Sequence, residues 1–172
     1  MQVTGQAFPD VLKKLHELEF NYLDGEGIDF EPYTEFLSEE ETNEWLSAWT
    51  GNPQANTDAY LVFGQDGTGG YAAIWCIRNN ADLLSQPIVF FGSEGELGII
   101  ASNFSDYLWV LASGYGPYEA VSYLNDGRPK NPEFAYFAEQ NSTTPSRSAS
   151  AIVASAKAEF PGFESSINAM CQ

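Results

Sequence analysis

The sequence predicts an α+β fold, in which one antiparallel sheet of about four to six strands is flanked by helices in a single domain over residues 1–172. Two observations predict it. A chain of 172 residues with 44% hydrophobic residues is suited to one domain with a sizeable core. The short β-type runs in its middle are joined by hairpin turns with no helix between them, which indicates an antiparallel meander, whereas the segments on either side have helical periodicity.

The chain is predicted to begin with an amphipathic helix over residues 9–23. In its sequence, PDVLKKLHELEFNYL, apolar residues recur at spacings of three and four, which is the period of one helix face. Pro9 stands near its start and Gly25 follows its end, as is typical of helix termini. Residues 28–33 can be a strand or an extended link, and Pro32 would restrict a strand there to the edge of the sheet.

A second helix is predicted from Ser38, with Gly51 ending it. Ser38 begins the sequence SEEE, in which Glu41 stands three residues on, as in a capping box. Four strands follow, over residues 60–64, 70–77, 88–92 and 97–101, each rich in aromatic and branched side chains. The sequences QDGTG and SEGE join the first and the second pair, and both are typical of tight hairpin turns.

Helices are predicted again after the last strand. Asn103 or Ser105 is expected to cap a helix that runs to Ala112. The remaining predictions are short helices over residues 118–124 and 132–139, a mobile polar loop over residues 140–150 and an Ala-rich helix over residues 150–160.

The charge of the chain indicates its partners. There are 24 Asp and Glu against 7 Lys and Arg, which gives a formal net charge of −17. No basic residue lies between Lys14 and Arg78, where the acids are Glu17, Glu19, Asp24, Glu26, Asp29, Glu31, Glu35, Glu39, Glu40, Glu41, Glu44, Asp58 and Asp66. A field of this sign repels nucleic acid and anionic membranes and attracts basic proteins. Acidity that serves only solubility would give the same composition.

No catalytic centre, metal or cofactor is expected. The one histidine, His16, lies in the first predicted helix without the partner residues of a catalytic motif or a zinc site, so a structural role is expected. Cys76 stands in the apolar run YAAIWCI, which favours a buried free thiol. A disulfide with the distant Cys171 is the other possibility, and a reducing compartment disfavours it.

Two further groups of residues are candidates for a chemical site. Residues 64–70, GQDGTGG, lack the Lys, the Ser or Thr and the following helix of a phosphate-binding loop, so the sequence predicts a hairpin there. Glu94 and Glu96 flank Gly95 and could act as the paired carboxylates of a hydrolase, although solvated side chains on a turn are the expected arrangement.

The location expected for the protein is cytoplasmic. Its first ten residues, MQVTGQAFPD, lack the basic and apolar regions of a secretory signal, and no apolar run is long enough to span a bilayer. The oligomeric state stays open, because a strand edge near residues 28–33 could pair with a second copy.

Residues 60–113 contain an ordered set of motifs, in which the hairpin VFGQDGTGGYAAIW precedes QPIVFFGSEGELGIIASNFSDYLWVLA. The positions that carry the pattern are Gly69, Gly70, Trp75, Pro87, Gly92, Gly95, Phe104 and Leu108. This order is similar to that of the SUKH superfamily, which includes yeast Smi/Knr-type regulators of cell-wall synthesis and many bacterial immunity proteins. The earlier helices match by order alone, and residues 114–172 form a helical extension outside the matched pattern.

The resemblance implies a binding scaffold that is not an enzyme. Bacterial members of the family neutralise toxins by direct contact, and a nuclease toxin is commonly basic, so an acidic partner can cover its nucleic-acid-binding surface. The acidic face expected to bind this partner contains Asp24, Glu26, Glu39, Glu40, Glu44 and Asp66. The alternatives are a regulatory or scaffold protein of the same superfamily that binds a cellular partner, and a hydrolase that uses Glu94 and Glu96.

Overall fold

The computed structural model describes residues 7–171, and its centre is a five-stranded antiparallel sheet. The strands are β1 (Glu31–Pro32), β2 (Tyr60–Gln65), β3 (Tyr71–Trp75), β4 (Ile88–Phe91) and β5 (Leu97–Ala101). Each strand pairs with the next one along the chain, so the order in the sheet is the order in the sequence. This confirms the predicted meander, and the short β1 lies at its edge, where Pro32 disrupts no ladder between two neighbours.

Helices precede and follow the strands, which confirms the α+β class. They are α1 (Asp10–Leu15), α2 (Glu39–Thr50), α3 (Phe104–Ala112), α4 (Pro117–Ser122), α5 (Pro132–Asn141), α6 (Ala149–Glu159) and α7 (Phe163–Met170). Short 3₁₀ turns occur at Leu23–Gly25 and Leu83–Ser85. The described residues form a single domain.

The sheet separates two apolar cores, because successive side chains of a strand point to opposite faces. Ile74 and Phe90 pack into the first core, together with residues of α1, α3, α4 and α5. Trp75 and Phe91 pack into the second core, together with residues of α2 and α7. Helix α6 contributes to both cores and lies against β5, so it covers the sheet edge opposite β1.

Side-chain hydrogen bonds cap the amino ends of α2, α3 and α6. The Ser38 Oγ accepts a hydrogen bond from the Glu41 backbone N–H at 3.1 Å, which confirms the predicted cap of α2. Of the two candidates for the cap of α3, the structure uses Asn103, whose Oδ1 accepts from the Asp106 N–H at 2.8 Å. Ser148 caps α6 in the same way, through the Ala151 N–H.

The first helix is much shorter than predicted, because it ends at Leu15. After it, the Phe20 ring packs against Phe30 and Phe134, with centroid distances of 5.3 and 4.9 Å. The Ile28 N–H donates to the Asn21 carbonyl oxygen at 2.8 Å, which closes the intervening residues into a loop. Packing between distant segments therefore overrides the helical periodicity of residues 16–23.

The carboxy-terminal part contains a helix that was not predicted. Helix α7 follows Pro161 and Gly162, and it buries Phe163 and Ile167 against the second core. The polar segment between α5 and α6 is joined to α3 by hydrogen bonds, one of them from the Trp109 Nε1–H to the Thr144 carbonyl oxygen at 2.9 Å.

Residues 1–6 and residue 172 lie outside the described part of the chain, and so does most of the segment from which the lack of a secretory signal was predicted. None of the helices within residues 7–171 combines the length and the hydrophobicity that crossing a bilayer requires.

Candidate partner-binding surface

The acids predicted to form one face belong to elements on opposite sides of the sheet. Glu39, Glu40 and Glu44 are exposed on α2, which packs on the second core. Asp24 and Glu26 are exposed in residues 21–27, after which the chain enters the first core. The structure therefore divides them into two groups, which we call the α2 surface (Glu39, Glu40 and Glu44) and the acidic loop (residues 21–27).

Asp66 does not belong to either group, and its predicted place on an exposed acidic face is wrong. Its relative exposure is 1%. Its Oδ1 accepts hydrogen bonds from the Thr68 N–H at 2.8 Å, the Thr68 hydroxyl at 2.7 Å and the Gly70 N–H at 2.9 Å. The carboxylate thus organises the turn between β2 and β3, where Asp side chains commonly bond to the backbone two residues on.

The α2 surface occupies the first turns of a capped helix. Acids are favourable there because the helix dipole is positive at its amino end. Glu39, Glu40 and Glu44 point away from the buried side of the helix, where Leu46 is 0% exposed. An open groove of about 730 Å³, lined by residues 32–38 and by Glu41, lies beside them and adds Glu35 and Glu41 to the acidic field.

The acidic loop has an unusual backbone. Leu23, Asp24 and Gly25 have φ angles of 48°, 52° and 93°, so three consecutive residues adopt the left-handed region. Glycine tolerates this conformation, whereas each other residue pays roughly 1–2 kcal/mol for it. The side chains of Tyr22 and Leu23 are nevertheless exposed, with relative exposures of 56% and 57%. The loop therefore presents two large side chains that directly precede the acids Asp24 and Glu26 in the sequence.

Arg128 holds this loop in place. Its side chain is 6% exposed, and its guanidinium donates to the carbonyl oxygens of Gly25, at 3.0 Å, and Gly27. The Gly27 N–H also donates to the Tyr22 carbonyl oxygen at 2.9 Å. The loop is thus fixed from inside by a buried cation. The sequence did not predict this role, because nothing in the turn sequence NDGRP indicates a contact with residues so far away.

The ion pairs within residues 7–171 include no carboxylate of either group. They join Arg78 to Glu159, Arg128 to Asp126 and Arg147 to Asp106. The acids of residues 17–66 make none of them, and that stretch contains no Lys or Arg. These acids therefore form no ion pair within the described part of the protein, and the cation that contacts the acidic loop, Arg128, is bound to its backbone and to Asp126.

Burial shifts the pKa values of His16 and Glu119 in opposite directions from the usual values. Burial lowers the pKa of His16 to about 4, although its Nδ1 lies 2.6 Å from the Tyr33 carbonyl oxygen. Burial raises the pKa of Glu119 to about 7, against the effect of hydrogen bonds that its carboxylate accepts from the Asp29 and Gly116 N–H groups at 3.0 and 3.1 Å. Glu119 thereby connects α4 to the segment that follows the acidic loop.

The remaining residues considered for catalysis or metal binding, Glu94, Glu96 and the two cysteines, lie in a turn or are free thiols. Glu94 is exposed on the turn between β4 and β5, and its N–H donates to the Glu96 Oε1 at 2.9 Å. Cys76 and Cys171 are free thiols, and burial raises the pKa of Cys76 to about 11. No group of His, Cys, Asp and Glu within residues 7–171 is arranged to hold a metal ion.

The residues of the motif pattern in 60–113 lie in the sheet, in its turns and in α3. Gly69 and Gly95 have φ angles of 96° and 90° in the two hairpin turns, where glycine is favoured. The Pro87 carbonyl oxygen accepts a hydrogen bond from the Trp75 N–H at 2.9 Å. The pattern is completed by side chains or backbone buried in these elements, namely Gly70, Trp75, Pro87, Gly92, Phe104 and Leu108.

No family model, no curated protein and no solved structure matches the chain.

Proposed function

We propose that this protein is a non-enzymatic binding domain for a basic protein, and that the partner is a cognate bacterial toxin of the nuclease type, which it neutralises as an immunity protein. The observation that carries the proposal is the uncompensated acidity of residues 17–66, where exposed acids have neither a nearby base in the sequence nor an ion pair in the described structure. Such a field attracts a nucleic-acid-binding protein and occupies the surface that its substrate would use.

The α2 surface would accelerate the encounter. Its carboxylates are exposed and carry no partner charge, so they act on an approaching cation at a distance set by the ionic strength. Charges of this kind change the association rate constant and its salt dependence more than they change the lifetime of a complex.

The acidic loop would supply the lasting contacts. Tyrosine is among the residues most often found at the energetic centre of interfaces, and Tyr22 is more than half exposed beside Leu23. Because Arg128 already holds the loop, little conformational entropy would be lost on binding. A partner with an apolar recess surrounded by Lys or Arg would fit this combination of side chains.

The resemblance to the SUKH superfamily supports the same proposal. The residues that carry the resemblance lie in the segment from β2 to α3. We therefore include membership of that superfamily in the proposal, with residues 114–172 as an extension. A regulatory scaffold of the same superfamily would share the fold but would bind no toxin.

The proposal predicts a toxin gene with a nuclease-like carboxy-terminal domain beside this gene, and the test is binding to that domain. Calorimetry with the full chain should show a complex whose affinity falls as the salt concentration rises. Tyr22→Ala should increase the dissociation rate constant by about tenfold or more. Tyr136→Ala is the matched control, because Tyr136 is 65% exposed on α5 and lies outside both acidic groups.

Charge variants separate the two groups. Glu39→Gln, Glu40→Gln and Glu44→Gln together should lower the association rate constant by about tenfold at low salt and leave the dissociation rate nearly unchanged. Glu133→Gln with Glu139→Gln, on the exposed side of α5, is the control. Absence of binding at low salt would refute the proposal, and equal effects of all the variants would refute the assignment of surfaces.

A further inference from the structure

Glu119 has a buried carboxyl group that lies beneath the segment following the acidic loop. It is 3% exposed. Its two oxygens accept backbone N–H groups from different elements, one from Gly116 at the start of its own helix and the other from Asp29. A Cβ atom added at Gly116 would come within 2.8 Å of the Glu119 Oε1 and within 2.5 Å of the Ile28 Cγ2, so the Ile28 side chain lies beside the carboxyl group. Residues 28 and 29 therefore cover Glu119.

No ion pair within residues 7–171 balances the charge of this carboxyl group. The guanidinium of Arg128 gives its hydrogen bonds to the acidic loop and to Asp126, and it acts on Glu119 through its charge alone. Tyr107, from α3, is the other titratable side chain that faces Glu119, and its buried hydroxyl has no hydrogen-bond partner among the described residues. Ionisation of Glu119 therefore places a charge in a buried site without a directly bonded cation.

The cover over Glu119 is continuous with the strained part of the chain. The acidic loop, with its left-handed backbone, is closed by the hydrogen bond from the Ile28 N–H to the Asn21 carbonyl oxygen at 2.8 Å. On the other side, the Asp29 carboxylate accepts the Gly67 N–H at 2.8 Å, which joins the cover to the turn between β2 and β3. A strained loop held by few hydrogen bonds can open locally while the sheet stays folded.

We propose that Glu119 makes the opening of residues 21–29 depend on pH. The uncharged carboxyl group is compatible with its buried position, so the segment stays closed over it. The carboxylate favours the open segment, in which water solvates its charge. This device belongs to the acidic loop itself and needs no partner. Its consequence for a partner rests on the proposed function: a complex with the closed loop would become weaker as the pH rises toward 7.

The direction of the effect follows from the pKa of Glu119 in the two states. Burial raises this pKa to about 7 in the closed state, whereas the ordinary value of a solvated glutamic acid is 4.5. Between these values the open state binds fewer protons than the closed state, so the equilibrium constant for opening rises with pH. Above pH 7 the carboxyl group is ionised in both states, and the dependence levels off.

Native-state amide hydrogen exchange of the full chain, from pH 5 to pH 8, measures this opening. Each exchange rate is divided by the intrinsic rate of an unprotected amide at the same pH, which leaves the opening equilibrium. The amides of Gly27 and Ile28 are the reporters, because their acceptors are backbone carbonyl oxygens of the loop and not Glu119. Their protection should fall by about fiftyfold, most of it below pH 7. Amides of β3 and β4 exchange by opening of the sheet and should change much less.

Glu119→Gln separates the ionisation of this residue from its hydrogen bonds. The amide side chain keeps an acceptor oxygen but does not ionise, so the protection of Gly27 and Ile28 should become independent of pH, whatever its absolute level. Glu133→Gln, which removes an exposed acid from α5, should keep the pH dependence of the native chain. A native profile without pH dependence, or one that Glu119→Gln leaves unchanged, would overturn the proposal. The measurement uses no partner, so its outcome does not depend on the proposed function.

Discussion

The amino-terminal region, residues 7–66, and the carboxy-terminal region, residues 102–171, use charge in opposite ways. In the first, exposed acids make no ion pair within the described structure. In the second lie the acids of the three ion pairs found among the described residues, namely Glu159, Asp126 and Asp106. Part of the charge in the carboxy-terminal region therefore joins residues of the fold, although Glu133 and Glu139 are exposed there without an ion pair, whereas none of the exposed acids of the amino-terminal region is paired.

The largest expected effect concerns two groups, one in each region, whose pKa values are shifted in opposite directions. The raised pKa of Glu119, about 7 against 4.5, stabilises the fold at low pH, and this contribution is lost as the pH rises to about 7. The lowered pKa of His16, about 4 against 6.5, stabilises the fold above pH 6.5, and this contribution is lost as the pH falls to about 4. In the native chain the two contributions nearly cancel over the shared range.

In Glu119→Gln, the pH dependence of stability that His16 causes should therefore no longer be offset. From pH 6.5 to pH 4, the free energy of unfolding of this variant should fall by about 3 kcal/mol more than that of the native chain. Urea unfolding at several pH values measures the difference. His16→Phe should give the opposite slope, with stability falling as the pH rises. Parallel profiles for the three proteins would show that these two groups do not control the pH dependence.

The next prediction concerns Asp66, which is buried, unlike the exposed acids of the amino-terminal region. Asp66→Ala removes the acceptor of three hydrogen bonds and leaves the N–H groups of Thr68 and Gly70 without it, so it should lower the free energy of unfolding by about 2–3 kcal/mol. Chemical denaturation measures this loss, and Glu39→Ala serves as the exposed control. Similar stability of the two variants would show that Asp66 behaves like a surface acid after all.

A smaller effect concerns Arg128, which lies in the carboxy-terminal region but holds the acidic loop of the other. Arg128→Met keeps the length of the side chain and removes the donors to Gly25 and Gly27, which should cost about 1.5 kcal/mol because those carbonyl groups can partly rehydrate. Amide hydrogen exchange should become faster at Gly25, Glu26 and Gly27. Unchanged exchange there would mean that the loop keeps its conformation without the arginine.

Elements whose structure depends on residues close together in the chain could be predicted from the sequence. The turns QDGTG and SEGE define two hairpins by local chemistry, and with them the order of the central strands. The cap at Ser38 likewise depends on residues within one turn of the helix. Helix α7 could have been found too, because Phe163, Ile167 and Met170 recur at spacings of four and three.

The features that sequence reasoning missed depend on distant residues. The early end of α1 follows from the packing of Phe20 against Phe134, and the shape of the acidic loop from Arg128, which is more than a hundred positions away from Gly25. Asp66 illustrates the same limit, because a buried turn acid and a solvated one look alike in a polar stretch. For the same reason the acids could be counted from the sequence, whereas their division between two sides of the sheet could not.

The smallest expected effect on stability concerns the acids of the α2 surface. Glu39→Gln, Glu40→Gln and Glu44→Gln together should shift the melting temperature by less than about 2 °C at moderate salt, because exposed charges without ion pairs contribute little to stability. The substitutions have two small and opposite effects on stability. They remove the favourable interaction of the carboxylates with the helix dipole, and they reduce the repulsion among the acids of the domain. Thermal unfolding at low and high salt separates these terms, since added salt stabilises the native chain by screening repulsion and should stabilise the variant less. A variant that instead gained more from salt than the native chain would show that these acids are compensated within the fold and are not free for a partner.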